Sequence, residues 1–422
     1  MKLPRFLSKL IPGYEVSDLK EWRQKGEIEI YFKKREDLSH KCLCSRCGHE
    51  LGNSHGRYPL RLKTMPIFNF TTYICIWREK RHCSNCKKVR AEALDFISEE
   101  SPHLTKEYSW WVGRMCEFSP VTRVADFTGN EAMSVYRLDY ERMRRMFQEY
   151  KIPPFKRICV DEVYARKKSY YRKESRDKRF FTVICDLDSR RVLWVSDSRS
   201  REALDEFYRI IGPERCAQIE VVAADQHDAY KVSTKEHCPN ATFVWDRFHV
   251  MQTFENAVND DRMWLNQYVT KGEVKRLTRS RFANLFLKKA DRRTSVEKRH
   301  LNDVLKENTS FCYLEIIKEG MFQLFDSATA EDARYKFEQL GLWIHQEKFT
   351  ALTRWWKNFD QGWNTFKNYF KFRVTSSLSE GVNNVIKTLK KRAYGYKNMA
   401  YFKLKILQVC GFLNSRYIDM NF

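Results

Sequence analysis

The order of short apolar segments between residues 157 and 246 constrains the fold of this chain more than any other feature. Three segments with the composition of β-strands come first, at 158–161, 181–186 and 192–195. An amphipathic helix follows over 201–211, and two more apolar segments lie at 219–225 and 242–246. This alternation predicts an α/β fold in which strands from distant parts of the sequence share one sheet.

A ribonuclease-H-like fold has this order of elements: three strands, a helix, a strand, and then a further helix and strand. The first and fourth strands are neighbours in that order, so Asp161 and Asp225, which end those segments, are expected at one edge of the sheet. Clustered carboxylates repel each other unless a cation such as Mg²⁺ binds them. Other acids compete for this role, and the pattern does not choose among them: Asp186, Asp188, Asp228 and Asp246.

A third carboxylate, Glu380, begins a helical segment near the end of the chain. At helical spacing it shares one face with Asn383/Asn384, Lys387 and Lys391. The opposite face carries Val382, Val385, Ile386 and Leu389. A helix face on which a carboxylate is followed by amides and cations suits an anionic partner that is bound through a metal ion. Two metal ions about 4 Å apart can activate a water or a 3′-hydroxyl and stabilise the leaving oxygen of a phosphodiester.

The charge of the chain indicates a polyanionic partner. Its 422 residues carry a formal net charge of +23, with a pI near 9.4, which is typical of proteins that bind nucleic acid. The alternatives are a generically basic protein and a membrane-surface binder. The sequence has no long apolar run that would span a bilayer and no signal-peptide pattern, so we expect a protein of the reducing cytoplasm, associated with the nucleoid. Its thirteen cysteines are then expected to be thiols and metal ligands.

Two CxxC motifs, Cys44/Cys47 and Cys83/Cys86, have the spacing of a tetrahedral zinc site. Each motif turns two thiolates toward one point, and the alternating segment between the motifs predicts strands. We therefore expect a zinc ribbon with a long hairpin and a structural Zn²⁺. Cys42 is an alternative ligand, and a set of buried free cysteines is the other interpretation.

Helical patterns follow at 106–117, 121–127 and 131–145, which predicts a helix-turn-helix. Ala125 and Gly129 have the small-residue and turn-glycine spacing of that motif. The third helix would be the recognition element, and its basic residues are Arg137, Arg142, Arg144 and Arg145. An unrelated helical hairpin is the alternative.

The stretch from Asp225 to Glu380 is too long for the ribonuclease-H-like core alone, so we expect a helical insertion. The insertion has basic faces and several tryptophans, which we expect to be core residues, with stacking on an exposed base as the alternative: Lys288, Lys289, Arg292, Arg293, Trp343, Trp355, Trp356 and Trp363. The loop 166–179 carries eight lysines and arginines and is either a phosphate clamp or a solvated hairpin.

Several motifs carry a resemblance to a known family. They are Val-Asp-Glu-Val-Tyr at 160–164, Ala-Asp at 224–225 with Tyr230, Asp-Arg-Phe-His-Val at 246–250, and Glu-Gly-Val-Asn-Asn at 380–384 with its extension to 396. These motifs resemble those of bacterial insertion-sequence transposases. On them the chain is identified, over essentially its whole length, as a member of the ISL-three family of DDE transposases.

The resemblance implies cleavage at transposon ends and strand transfer into target DNA, with Mg²⁺ or Mn²⁺ as cofactor. It implies a catalytic and metal-binding triad of Asp161, Asp225 and Glu380. Asp246 and His249 would be a supporting pair, with a buried structural role as the alternative for His249. The residues that would hold DNA phosphate are Asn384, Lys387, Lys391 and Arg392. Because two ends are brought together, a homo-oligomer is expected.

The domain boundaries expected from these patterns are a zinc ribbon at 1–100 and a helix-turn-helix at 101–150. A ribonuclease-H-like core at 151–250 and 372–422 would then be interrupted by a helical insertion at 251–371. The main alternative function is a catalytically silent, domesticated transposase that regulates genes by binding DNA. A nuclease or resolvase that acts on structured nucleic acid is a third hypothesis, and the paired DNA-binding modules disfavour it.

Overall fold

A computed structural model describes residues 11–36, 41–166, 176–268, 285–374 and 377–414. These residues form two mixed sheets and many helices, which confirms the predicted α/β class. The chain divides into two compact units, Met1–Tyr150 with Ala400–Val409, and Lys151–Met399 with Cys410–Phe422. None of the helices in the described ranges is both long and apolar enough to cross a membrane.

The N-terminal unit contains a sheet whose central strands have more buried side chains at alternate positions. The strands are β1 Tyr14–Trp22, β2 Glu27–Lys34, β3 Ser54–Ile67, β4 Phe70–Cys83 and β5 Lys88–Ala91. Their order is β1-β2-β4-β3, with β5 paired to β4, and β2 and β4 run parallel. Alternate positions such as Ile30, Leu62 and Ile74 form its hydrophobic core.

Helices α1 Lys106–Met115, α2 Val121–Thr128 and α3 Ala132–Gln148 follow the sheet. The Thr105 side chain accepts a hydrogen bond from the backbone N–H of Tyr108 and so caps α1. Gly129 ends α2 in the left-handed conformation, with φ of 60°, which a glycine adopts without steric cost. Apolar residues of the three helices form one core, in which Ala125 is buried.

A C-terminal helix, α15 Met399–Val409, contributes residues 400–409 to this unit. The Tyr401 hydroxyl donates to Asp139 Oδ2 at 2.5 Å, and Lys405 Nζ forms an ion pair with the same oxygen at 2.8 Å. Lys405 Nζ also donates to the carbonyl oxygen of Cys116 at 2.7 Å. Asp139 is 0% exposed, so its charge depends on these partners for stabilisation.

We expect Asp139→Ala to lower the free energy of unfolding of the N-terminal unit by about 3–5 kcal/mol, because it leaves the buried Lys405 ammonium without a counter-charge. Urea unfolding, with hydrogen exchange of the α1–α3 amides to assign the transition, measures the change. Asp126→Ala removes an exposed aspartate from α2 and is the matched control, with an expected effect below about 0.5 kcal/mol. Equal losses in both variants would contradict this account of Asp139.

The second unit contains the other sheet. Its strands are β6 Arg157–Tyr164, β7 Phe180–Asp186, β8 Arg191–Ser196, β9 Val221–Ala224 and β10 Thr242–Trp245. Among the described residues their order is β10-β9-β6-β7-β8. The first three strands along the chain are antiparallel neighbours, whereas β9 and β10 run parallel to β6. The intervening helices are α4 Arg201–Ile211, α5 Pro213–Cys216 and α6 Asp228–His237.

The chain after β10 is helical in its described parts. The helices are α7 Arg247–Tyr268, α8 Ser295–Glu307, α9 Thr309–Phe325, α10 Ala330–Gln346, α11 Thr350–Gln361, α12 Trp363–Phe366, α13 Asn368–Phe372 and α14 Ser377–Arg392. Trp356 and Trp363 each stack on Phe337, with ring centroids 5.1 and 5.4 Å apart. Trp355 stacks on Phe359 at 4.8 Å, so these three tryptophans pack with other aromatic rings.

Candidate active site

Two acidic residues come to neighbouring positions on β6 and β9. The parallel pairing of these strands ends at Cys159 and Ala223. Continuing the register by two residues brings Asp225, the first residue after β9, opposite Asp161. The apolar run predicted that Asp161 ends its strand, but the strand continues beyond it. β6 continues to Tyr164 because its antiparallel pairing with β7 extends beyond the end of β9.

The chain returns to this place after β10. The backbone N–H of Asp246 donates to the carbonyl oxygen of Ala224 at 2.8 Å, and Asp246 is buried. His249, in the first turn of α7, has its Nε2 3.5 Å from Asp161 Oδ1 and 3.7 Å from Asp246 Oδ2. His249 therefore lies between the carboxylates of Asp161 and Asp246.

Burial and charge act in opposite directions on His249. Burial lowers its pKa, but the hydrogen bond and charge of Asp161, with further contributions from Asp246 and Asp225, raise the pKa to about 9. The imidazolium is therefore the stable form at neutral pH, and it offsets part of the repulsion between the carboxylates.

The environment of Asp225 is unfavourable for a lone carboxylate. Burial raises its pKa, the positive charge of His249 opposes the rise, and the charge of Asp161 adds to it. Asp225 Oδ1 also accepts a hydrogen bond from the backbone N–H of His227 at 3.1 Å. A cation bound beside Asp225 would relieve the repulsion from Asp161.

Helix α14 reaches the same edge of the sheet. The Asn383 side-chain amide donates from Nδ2 to Asp161 Oδ2 at 2.8 Å. Seven residues further along, Lys390 Nζ donates to the carbonyl oxygen of Tyr164 at 3.1 Å and lies 4.8 Å from the centre of its ring. Glu380 is exposed and lies one helical turn before Asn383, on the same face of the helix.

The outer face of α14 is largely as its spacing predicts. Asn384, Lys387, Lys391 and Arg392 are exposed, and Val382 and Ile386 are buried. Val385, which the helical spacing assigned to the apolar face, is 43% exposed. Val385 lies at the edge of the buried face of the helix, and this buried face is narrower than the apolar face predicted from the sequence.

Within the described residues, the carboxylates of Asp161, Asp225 and Glu380 are not part of any group of three ligand atoms that lie within 4.8 Å of one another. Ligands of two ions about 4 Å apart need not meet at a single point.

Comparison with known families shows which family the chain belongs to. The transposase family model of the ISL3 group matches residues 158–406, which include β6, β9, α14 and the residues named above.

The chain belongs to the ISL3 transposase family.

Sequence similarity to known insertion-sequence transposases supports this family and confirms the resemblance carried by the motifs. The transposase is 27% identical to the transposase for insertion sequence element IS1001 of Bordetella parapertussis over 415 residues, 93% of this chain and 94% of that relative. It is also 35% identical to the transposase for insertion sequence element IS1557 of Mycobacterium tuberculosis over 107 residues, 25% of this chain and 22% of that relative.

The N-terminal unit of this ISL3 transposase brings four cysteines together. The sulfur atoms of Cys44, Cys47, Cys83 and Cys86 all lie within 4.8 Å of one another, and two of the Sγ–Sγ distances are 3.5 and 3.9 Å. Sulfur atoms bound tetrahedrally to one zinc ion at 2.3 Å lie about 3.8 Å apart. The cluster therefore has the size and donor type of a structural zinc site.

Cys42 lies outside this group. Its sulfur is 3.7 Å from Glu92 Oε2 and 3.8 Å from Lys34 Nζ, and Lys34 forms an ion pair with Glu92 at 2.6 Å. Burial raises the pKa of the Cys42 thiol. Cys42 therefore contacts an ion pair and is not one of the four clustered cysteines.

The arginines of α3 in this transposase fall into two groups. Arg137 and Arg144 are exposed, although Arg144 pairs with Glu141 at 3.0 Å. Arg142 is 4% exposed, forms an ion pair with Glu117 and lies 4.7 Å from the ring centre of Trp110. The interpretation of Arg142 as part of a recognition surface is therefore wrong, because this residue belongs to the interior.

Two features were not selected by sequence reasoning. Asn383 was noted only as part of a polar face, and its contact with Asp161 links positions that are far apart in the sequence. Glu162 is partly buried, and its Oε1 accepts a hydrogen bond from the hydroxyl of the fully buried Tyr230 at 3.1 Å. Their only sequence signal is their place inside the motifs. Most of the basic loop 166–179 lies outside the described residues.

Proposed function

We propose that this ISL3-family transposase cuts DNA at the ends of its insertion sequence and transfers the cut strand into target DNA. Asp161, Asp225 and Glu380 would be its catalytic triad, and the cofactor would be Mg²⁺ or Mn²⁺. The observation that carries the proposal is the meeting of three distant chain segments at one sheet edge: Asp161 on β6, Asp225 after β9, and α14 through Asn383. A silent regulator would have no need of this acidic edge.

The residues at this edge fit a hard divalent cation. Asp161 and Asp225 offer carboxylate oxygens, and Asn383 Oδ1 is a buried amide oxygen without a hydrogen-bond donor among the described residues. When bound, Mg²⁺ would activate the attacking water or 3′-hydroxyl and neutralise charge on the leaving oxygen. The residues of the chain would orient the carboxylates and hold the DNA phosphates in line with them.

Cations on α14 supply the second part of the proposal. Lys387, Lys391 and Arg392 are exposed on the helix that also carries Glu380, and Asn384 lies among them. A row of this kind would bind the phosphates of the DNA backbone next to the catalytic edge. It would set the register of the DNA without reading its sequence.

The N-terminal unit would bind the DNA ends. We propose that the cysteine cluster and the β3–β4 hairpin form a zinc ribbon, and that α1–α3 form a helix-turn-helix whose exposed Arg137 and Arg144 contact DNA. The strand order of the second unit supports a ribonuclease-H-like core interrupted by the helices α7–α13, with the domain boundaries expected from the sequence. Joining two ends would require a homo-oligomer.

Cleavage of end DNA tests the proposal directly. We expect the zinc-loaded protein to nick a duplex that carries the terminal inverted repeat in Mg²⁺ or Mn²⁺ and not in Ca²⁺, because Ca²⁺ takes more ligands in a looser geometry and aligns the reacting oxygens poorly. Product lengths on a denaturing gel locate the cut. A duplex with a scrambled terminal repeat is the control. Sequence-specific binding without cleavage in any of the three metals would favour the regulator instead.

A further inference from the structure

We infer that Asn383 is a positioning residue that holds Asp161 in its metal-binding orientation, an inference that rests on the proposed function. The residue comes from α14, yet its amide donates to a carboxylate more than two hundred positions earlier in the chain, at 2.8 Å. It is a direct contact between the helix of Glu380 and the side chain of Asp161. Its role is therefore to join two parts of the triad.

The orientation of the Asn383 amide follows from its partner. Asp161 offers only acceptors when it is ionised, so the Asn383 NH₂ group must face it, and Oδ1 must point away. That Oδ1 is buried and has no donor among the described residues. A buried acceptor without a donor costs about 1–3 kcal/mol. Such a cost is offset when a ligand of the site, such as a metal-bound water, donates to the free oxygen.

Both oxygens of Asp161 are held by the surrounding protein. Oδ2 accepts from Asn383, while Oδ1 accepts from the backbone N–H of Glu162 at 2.6 Å and lies 3.5 Å from His249 Nε2. A carboxylate restrained at both oxygens keeps its remaining lone pairs in fixed directions. Partners that orient a metal ligand in this way typically contribute 10–100-fold to metal affinity or activity.

A second contact sets the position of α14 along its axis. Asn383 contacts Asp161, and Lys390 contacts Tyr164. The two donors are seven positions apart on the helix, which spans about 10 Å, and the two acceptor residues are three positions apart on the strand, which also spans about 10 Å. The helix and the strand therefore run side by side in matched register. Glu380 lies one turn before Asn383 on the same helix, so this register also sets the position of Glu380 along the helix axis.

The test compares Asn383→Ala and Asn383→Leu with the wild type. Leucine branches at Cγ as asparagine does, is larger and has a higher helix propensity, so it removes the hydrogen bond without leaving a cavity or weakening the helix, and alanine removes the same bond without added bulk. Thr388→Ala changes an exposed residue of the same helix and is the control. Two quantities are measured for each zinc-loaded protein: Mn²⁺ affinity without DNA, by calorimetry, and the Mg²⁺ concentration that gives half-maximal cleavage of end DNA.

We expect both Asn383 variants to bind Mn²⁺ about 10-fold more weakly and to need correspondingly more Mg²⁺, while they bind end DNA as the wild type does. An unfolding temperature equal to that of the wild type shows that the Asn383 variants are folded. Unchanged Mn²⁺ affinity and an unchanged Mg²⁺ requirement in the leucine variant would overturn the inference and leave the proposed function intact. A wild type that binds Mn²⁺ but cuts no end DNA contradicts the proposed function, and the Mn²⁺ isotherms still decide the role of Asn383.

Discussion

Replacement of any one triad residue, as Asp161→Asn, Asp225→Asn or Glu380→Gln, is expected to reduce the rate of end cleavage by at least about three powers of ten. Each change keeps the side-chain volume and removes one negative charge. The loss corresponds to several kcal/mol of transition-state stabilisation, which is the contribution expected of a metal held at the reacting phosphate. Single-turnover cleavage of labelled end DNA in saturating Mg²⁺ measures the effect.

Binding of end DNA should be retained in all three variants, because the proposed DNA-reading residues lie in the other unit of the chain. The matched control is Asp188→Asn. Asp188 is an exposed acid that pairs with Arg157, and it competed with the triad in the sequence pattern. The Asp188→Asn variant should cleave end DNA at the wild-type rate. Wild-type cleavage by a triad variant would remove that residue from the catalytic set.

Loss of one cysteine ligand is expected to unfold the zinc region and to weaken end binding at least 100-fold. Cys47→Ser or Cys86→Ser leaves three thiolates, and structural zinc contributes on the order of 10 kcal/mol to the folding of small domains. The cluster joins the loop before β3 to the turn after β4, so its loss releases both ends of the long hairpin. Zinc content by atomic absorption and end binding by gel shift are the two measurements.

Cys42→Ser is the control for this series. A serine hydroxyl can replace the thiol beside Glu92 and Lys34, so zinc content and end binding should match the wild type. Zinc loss in Cys42→Ser, with zinc retained in Cys86→Ser, would reverse the ligand assignment. Retention of Mg²⁺-dependent nicking on non-specific DNA by Cys47→Ser would show that the second unit stays folded when the zinc region does not.

The order of strands and helices could be predicted because each element is encoded locally. Apolar runs of four to seven residues, separated by turns and one amphipathic helix, predict β6–β10 and α4 without any knowledge of distant contacts. The same holds for the paired cysteines, since a CxxC turn directs two thiolates by itself. The α/β class followed from these elements, and the structure confirms it.

Contacts between distant segments were beyond sequence reasoning. Arg142 has the same chemistry as its exposed neighbours on α3, and its contacts with Glu117 and Trp110 of another chain segment make it a buried residue. Asn383 and Asn384 are chemically identical in the sequence, and the axial register of α14 decides which of them meets Asp161. Asp161 appeared to end a strand because two acids, Asp161 and Glu162, interrupt the apolar run before Val163 continues the pairing with β7.

The return of residues 400–409 to the N-terminal unit has a consequence for synthesis of the protein. The ribosome makes Asp139 long before it makes Lys405 and Tyr401, which stabilise its buried charge. The N-terminal unit therefore completes its interior only after α14 and Glu380 have been synthesised. A chain that stops early holds an uncompensated buried charge, so full stability of the N-terminal unit is coupled to completion of the proposed catalytic residues.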